Sequence, residues 1–77
     1  MLVQYLRKEN RVPVGVVVAL DKEHFGWSLC NKHDIFDRKL GLKIATNRAM
    51  IGSHVQIPFT LEEVYFNVYQ RAQKYFK

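Results

Sequence analysis

The residues that could carry out chemistry lie around the single cysteine of the chain. Cys30 and His33 form a Cys-x-x-His pair, and with His24 and His54 they could supply four zinc ligands. The same thiol could act as a nucleophile with His33 as its base, because a helix N-terminus lowers a thiol pKa. Structural zinc sites usually bring more than one cysteine, however, and Asp34 places negative charge beside any thiolate. We therefore predict no metal site and no catalytic residue here.

The carboxylates form no catalytic arrangement either. Glu62 and Glu63 are adjacent in a segment with helical periodicity, where neighbouring side chains point in different directions. The sequence contains no glycine-rich phosphate loop and no pattern of serine, histidine and aspartate typical of hydrolases. These observations predict a non-catalytic protein that needs no cofactor.

Positive charge is the strongest compositional feature. The chain has 12 Lys and Arg against 7 Asp and Glu, which gives a net charge of +5 and a pI near 9.6. Such a balance favours polyanions or acidic protein surfaces as partners. Four basic residues lie between positions 38 and 48, and no acidic residue lies among them. Phosphate contacts need only accessible positive charge. The sequence therefore predicts a nucleic-acid-binding surface formed by Arg38, Lys39, Lys43 and Arg48.

The same segment supports a second hypothesis, a protein partner. If small residues turn inward, the outer face of the helix combines lysines with two large aliphatic side chains, Ile35 and Leu42. Protein-binding surfaces often surround an apolar anchor with charge. An acidic protein would then dock on Ile35, Lys39, Leu42 and Lys43, and the sequence leaves this alternative open beside nucleic acid.

These residues need a scaffold, which begins with an antiparallel hairpin. Residues 12–20 are rich in β-branched side chains, and residues 25–30 alternate large and small side chains. Residues 21–24 connect them. Alternation in the first of these strands predicts a shared face for Val14, Val16, Val18 and Leu20. Residues 2–6 and 54–57 predict further short strands, so the sheet has three or four strands in all.

A first helix is predicted from about Lys32 to Met50, with Asn31 as its N-cap and Gly52 as its stop. Gly41 interrupts it, and glycine costs about 1 kcal/mol against alanine inside a helix. At 100° per residue, two columns of side chains run along this helix. The small one is Gly41, Ala45 and Ala49, and the bulky one beside it is Phe36, Leu40 and Ile44. We expect the small column to allow close packing on the hairpin or on the last helix.

The second helix has the clearest start signal. Residues 60–63 form a capping box, and Phe59 with Val64 has the spacing of a hydrophobic staple. Apolar residues then recur at helical spacing, opposite a polar face. The apolar set is Leu61, Val64, Tyr65, Val68, Tyr69, Ala72, Tyr75 and Phe76; the polar set is Glu63, Asn67, Gln70, Arg71 and Lys74. The predicted class is α+β, an antiparallel hairpin extended by one or two strands with two helices packed on the sheet.

Length and cysteine content limit the number of domains and indicate the cellular compartment. A chain of 77 residues predicts a single compact domain over residues 1–77. One cysteine excludes an intramolecular disulfide and suits a reducing compartment, so we expect a cytoplasmic protein. The longest apolar run, residues 12–20, is too short to cross a bilayer, and no membrane association is expected. Either a monomer or a homodimer is compatible with these features.

The segment CNKHDIFDRKLGLKIATNRA, residues 30–49, together with the strand that precedes it, resembles a group of small uncharacterised proteins of tailed bacteriophages. The similar part is about a third of the chain. The resemblance implies an accessory phage protein that acts in the cytoplasm of the infected host, and it brings no known active site. Under it, the protein partner of the second hypothesis would be a host protein that this chain inhibits or modulates.

Overall fold

The computed structural model describes residues 1–7, 12–30, 37–52 and 57–76. It confirms a small α+β fold with a three-stranded antiparallel sheet and two helices. The elements are β1 (Leu2–Arg7), β2 (Pro13–Ala19), β3 (Phe25–Leu29), α1 (Arg38–Ile51), a short 3₁₀ turn (Phe59–Leu61) and α2 (Glu62–Tyr75). Of the predicted fourth strand, residues 54–56 lie outside the described residues, and Ile57 is not in a strand.

The strand β2 lies at the centre of the sheet, between β1 and β3. Its predicted alternation is confirmed: Val16 and Val18 pack with Ala45 of α1, whereas Val17 and Ala19 pack with α2. All four side chains are fully buried. The two helices therefore cover opposite faces of the sheet, and the continuous apolar run of β2 follows from burial on both sides.

The helix α1 packs against β3 through its small column, as the sequence predicted. Gly41, Ala45 and Ala49 are buried. A Cβ atom at Gly26 of β3 would collide with the Ala45 carbonyl and lie 2.6 Å from the Ala49 nitrogen. The backbones of β3 and α1 thus touch directly, which explains why small residues occur in register on both elements.

The start of α1 differs from the prediction. Asp37, with extended backbone angles, is the N-cap, and its side chain accepts hydrogen bonds from the Lys39 and Leu40 amides at 3.0 and 3.2 Å. The helix therefore begins at Arg38 rather than at Lys32. The proposed cap Asn31 lies outside the described residues. The end of α1 is as predicted, because Gly52 adopts the left-handed conformation at φ 69° and closes the helix.

The orientation of α1 corrects the expected roles of two leucines. Leu40, assigned to the inward bulky column, is 55% exposed. Leu42, assigned to the outer face, packs against the buried cluster of Val16, Val18 and Ala45. The helix α1 is therefore rotated so that the side bearing Leu42 faces the sheet. On that side Leu42 joins the apolar cluster that extends from β2 to Val3 and Tyr5 of β1.

The helix α2 buries the predicted face but lacks the predicted start. Leu61, Val64, Val68 and Ala72 are buried, and the predicted polar face is exposed. The chain enters through the 3₁₀ turn, and no side chain caps either this turn or α2, so the capping box is not formed. Phe59 is 87% exposed and makes no staple. Tyr69 and Tyr75 are also mostly outside the core.

Neither helix among the described residues combines the length and apolar content that crossing a bilayer requires.

Candidate nucleic-acid interface

The four basic residues of the predicted surface divide between two flanks of α1. Lys39 and Lys43 are four residues apart, about 40° around the helix, whereas Lys39 and Arg48 differ by about 180°. Lys39 and Lys43 are exposed. Arg48 is half-buried and points toward β3. Arg48 therefore lies apart from Lys39 and Lys43, and Arg38, the first residue of α1, lies about 15 Å from Arg48 along the helix axis.

The guanidinium of Arg48 is used inside the fold. Its Nη1 donates a hydrogen bond of 2.8 Å to the Trp27 carbonyl, and its Cζ lies 4.5 Å from the centre of the Trp27 ring. This placement corrects the expectation that Arg48 supplies accessible positive charge. The other three basic residues remain at the surface.

Strand β1 adds an aromatic ring to the basic surface. The Cζ atom of Arg38 lies 5.7 Å from the centroid of the Tyr5 ring, and that of Arg7 lies 5.9 Å from it. Both distances fall within the range of cation–π contacts. Tyr5 is half-buried, and both arginines are exposed. We call Tyr5, Arg7, Arg38, Lys39 and Lys43 the Tyr5 surface.

The strand pairing explains why these residues meet. In β1 the side chains of Val3 and Tyr5 point to the face that α1 covers, and Arg7 follows with the same period. Among the described elements, α1 lies mainly over β3 and β2 and covers this face of β1 only in part. The ladder also shifts register between Leu6 and Arg7, so that Arg7 pairs with Pro13. Such a bulge increases local twist and re-aims nearby side chains.

The electrostatic balance of the Tyr5 surface is strongly positive. Four basic side chains are exposed there. The nearest acid by sequence is Asp37, whose carboxylate accepts two amide hydrogen bonds at the start of α1. Its charge is therefore directed at the helix N-terminus, where a carboxylate is stabilising.

The predicted protein-binding patch is divided by the same geometry. Leu42 packs inward against the sheet, while Lys39 and Lys43 face solvent. Ile35 lies outside the described residues. Among the described members of the patch, only the lysines present their side chains fully, so its apolar anchor at Leu42 is not on the outer face.

The residues weighed for metal or thiol chemistry are only partly described. His33 and His54 lie outside the described residues, and the described ones contain no group of three metal-ligating side chains. Cys30 is half-buried, and its amide donates to the Val14 carbonyl at the end of the hairpin. His24 instead contacts Asp21 through Nδ1 at 2.7 Å.

The turn between β2 and β3 lowers the pKa of one acidic side chain, Asp21. The Asp21 carboxylate accepts a hydrogen bond of 2.7 Å from the Glu23 amide, and it contacts the His24 ring. These bonds, the backbone one first, lower the pKa of Asp21 below its usual value. The Asp21 side chain is exposed, and the lowered pKa comes from hydrogen bonds within the turn. It therefore does not indicate an active site.

The chain shows no detectable similarity to known protein families, to curated proteins or to solved structures.

Two members of the Tyr5 surface are not predicted by the sequence pattern. Tyr5 and Arg7 belong to a segment that was expected only as a short strand followed by a turn. The alternation of Val3, Tyr5 and Arg7 is visible in the sequence, but it gains meaning only when β1 pairs with β2. The proximity of Arg38 to Tyr5 depends on how α1 lies on the sheet, which no local pattern indicates.

Proposed function

We propose that this protein binds nucleic acid through the Tyr5 surface and that it prefers single strands. The observation that supports this most is the Tyr5 ring with the guanidinium groups of Arg7 and Arg38 both within 6 Å of its centre. Proteins that bind single strands combine aromatic rings, on which bases stack, with cations that follow the phosphate backbone. Lys39 and Lys43 extend the cationic part along α1.

The proposal requires no catalytic group. Binding through phosphate contacts and stacking is tolerant of sequence, because every base has an aromatic face and every nucleotide a phosphate. An accessory role in an infected bacterium, which the resemblance to phage proteins suggested, stays a prediction. So does a protein partner, which would have to use the exposed lysines without Leu42 as an apolar anchor.

Fluorescence anisotropy with labelled strands of about 12 nucleotides tests the proposal, since single-strand sites span about 4–16 nucleotides. We expect binding at about 50 mM salt that weakens steeply as salt rises, and weaker binding to a duplex of the same length. Arg38→Gln should lower the slope of log K against log salt by about 0.7, the value of one phosphate contact on a single strand.

The matched control is Lys22→Gln, which removes the same charge at the opposite end of the sheet, in the turn between β2 and β3. Its salt slope should stay that of the unmodified protein. Absence of binding at about 50 mM salt, or equal slopes for the two variants, would contradict the proposal. A pull-down from nuclease-treated bacterial lysate that retains one protein partner would favour the protein-docking alternative instead.

A further inference from the structure

A polar groove lies on the face of β1 opposite the Tyr5 surface. Its volume is about 360 Å³, and it runs between β1 and α2, lined by Gln4, Asn67, Gln70, Arg71 and Lys74. Arg71 Nη1 and Gln4 Oε1 are 3.5 Å apart, so the two walls of the groove are in contact. The Tyr5 surface does not include any of these residues.

The lining has a consistent chemistry. Three side-chain amides offer both donors and acceptors, and two cations accompany them without a carboxylate in the lining. Asn and Gln amides match the paired donors and acceptors of nucleobase edges, and Arg and Lys match phosphate oxygens. A groove lined in this way suits a nucleotide better than an apolar ligand or a cation.

The position of the groove relative to the Tyr5 surface is set by the strand. Gln4 and Tyr5 are consecutive residues of β1, so their side chains point to opposite faces of the sheet. β1 is an edge strand, and among the described residues no strand pairs with its outer edge. A flexible strand that leaves the Tyr5 ring can reach the groove by passing over that edge.

We propose that the groove is a second subsite for the same single-stranded nucleic acid, which crosses the outer edge of β1 between Tyr5 and Gln4. The inference rests on the proposed function. It adds that the ligand contacts both faces of the sheet, that the groove holds a nucleotide by its phosphate and base edge, and that a duplex is too stiff to take this path.

Nuclear magnetic resonance can observe both subsites in one titration. The side-chain NH₂ groups of Gln4, Asn67 and Gln70 give signals inside the groove, and the backbone amides of Arg38 and Lys43 report on the Tyr5 surface. On addition of a single strand of about 12 nucleotides, both sets should shift with the same midpoint. A strand of about 4 nucleotides should shift the two sets with separate midpoints.

A charge placed in the groove provides the variant. Gln70→Glu is nearly isosteric and should weaken binding of the longer strand by about tenfold through repulsion of the phosphate. The control is Thr60→Glu, which adds the same charge at an exposed residue outside the groove lining, about 15 Å from Gln70 along the chain. It should leave the affinity within about twofold, since distant surface charges are screened. Circular dichroism would verify that both variants fold.

The possible outcomes distinguish the second subsite in the groove from nucleic-acid binding at the Tyr5 surface. Shifts of the Tyr5 surface with silent groove amides would overturn the second subsite and leave the proposed function intact. Equal weakening by Gln70→Glu and Thr60→Glu would also overturn it, because general repulsion would then explain both. Absence of shifts at Arg38 and Lys43 would remove the proposed function, and with it the shared ligand.

Discussion

The guanidinium of Arg48 lies over the indole of Trp27 and donates a hydrogen bond to the carbonyl of the same residue. The Cζ atom is 4.5 Å from the ring centre, and Nη1 is 2.8 Å from the carbonyl oxygen. Trp27 belongs to β3, an edge strand whose large side chains face α2, whereas Arg48 belongs to α1 on the other face. Arg48 therefore reaches past the edge of β3 and covers part of it, a known protection against strand-to-strand association.

Arg48→Gln should lower the free energy of unfolding by about 2 kcal/mol, because it removes a charge-assisted hydrogen bond and a cation–π contact. Arg48→Lys should recover little of this, since an ammonium lacks the planar fork. Urea unfolding followed by the fluorescence of Trp27, the one tryptophan of the chain, measures it. Lys43→Gln, at an exposed position of α1, is the control and should cost less than about 0.5 kcal/mol.

Gly26→Ala should destabilise the protein by at least about 3 kcal/mol, the upper end of overpacking costs. The added methyl group would meet the backbone of α1 at Ala45 and Ala49, which cannot move aside without lifting the helix. At Gly15 the same change would meet the side-chain ends of Leu29 and Leu61 at 3.1 Å and the Ser28 carbonyl oxygen at 3.2 Å, contacts that shifts of a few tenths of an ångström relieve. Chemical denaturation should therefore rank Gly15→Ala well above Gly26→Ala in stability, and an equal ranking would contradict the direct backbone contact.

Asp37→Ala should cost about 1 kcal/mol through loss of the N-cap of α1, and Asp37→Asn should recover most of it. Thr60→Ala should change stability by less than about 0.5 kcal/mol, because Thr60 caps neither the 3₁₀ turn nor α2. Thermal unfolding of the three variants decides this. A larger loss for Thr60→Ala than for Asp37→Ala would mean that the capping box forms after all.

The pKa of Asp21 is lowered in the fold, first by the Glu23 amide and then by the His24 ring. A lowered pKa of a carboxyl group contributes stability that is complete above the unfolded pKa of about 4 and is lost as the pH falls through the folded pKa. Asp21→Asn keeps an oxygen acceptor but cannot titrate. Its stability should therefore fall less steeply below about pH 4 than that of the unmodified protein, as measured by urea unfolding across the acid range.

Tyr5→Leu should weaken single-strand binding by about 5- to 100-fold, which corresponds to the loss of stacking of one base. Tyr5→Phe keeps the ring and should bind within about threefold of the unmodified protein. Anisotropy at fixed salt measures both, and unfolding curves verify the fold. Equal affinity of Tyr5→Leu and Tyr5→Phe would show that the ring does not contact the nucleic acid.

The sequence predicts those parts of the fold that local periodicity controls. The alternation along β2, the small column of Gly41, Ala45 and Ala49, and the small residues of β3 all follow from it, and the structure confirms each. The glycine inside α1 is buried in the column whose other two members, Ala45 and Ala49, meet Gly26 of β3. Close backbone packing offsets its cost as a helix residue.

The features that were predicted wrongly depend on tertiary contacts. Asn31 and Asp37 are equally good N-cap residues by type, and the structure shows Asp37 in that role for a helix that begins at Arg38. The staple of Phe59 fails because the chain enters α2 through a 3₁₀ turn. Leu40 and Leu42 exchange their expected exposure through a rotation of α1 that periodicity alone cannot determine.

The candidate site also combines residues that the sequence indicates with contacts that only the fold reveals. The charges of Arg38, Lys39 and Lys43 are visible in the sequence, but their separation from Arg48 needs the helix axis and the edge of β3. The aromatic member comes from β1, more than thirty residues earlier in the chain. Strand pairing and helix docking bring Tyr5 and Arg38 together, so the site is assembled by the fold.

The placement of the two helices on opposite faces has a consequence for biosynthesis. α2 is the last described element to leave the ribosome, and until it emerges Val17, Ala19 and Leu2 have no cover on their side of the sheet. A nascent chain in which β1, β2, β3 and α1 have already packed together would expose the apolar face of the sheet that α2 covers in the complete fold. Packing on this side of the sheet is therefore complete only when α2 is available, and a chain that lacks α2 should be prone to association.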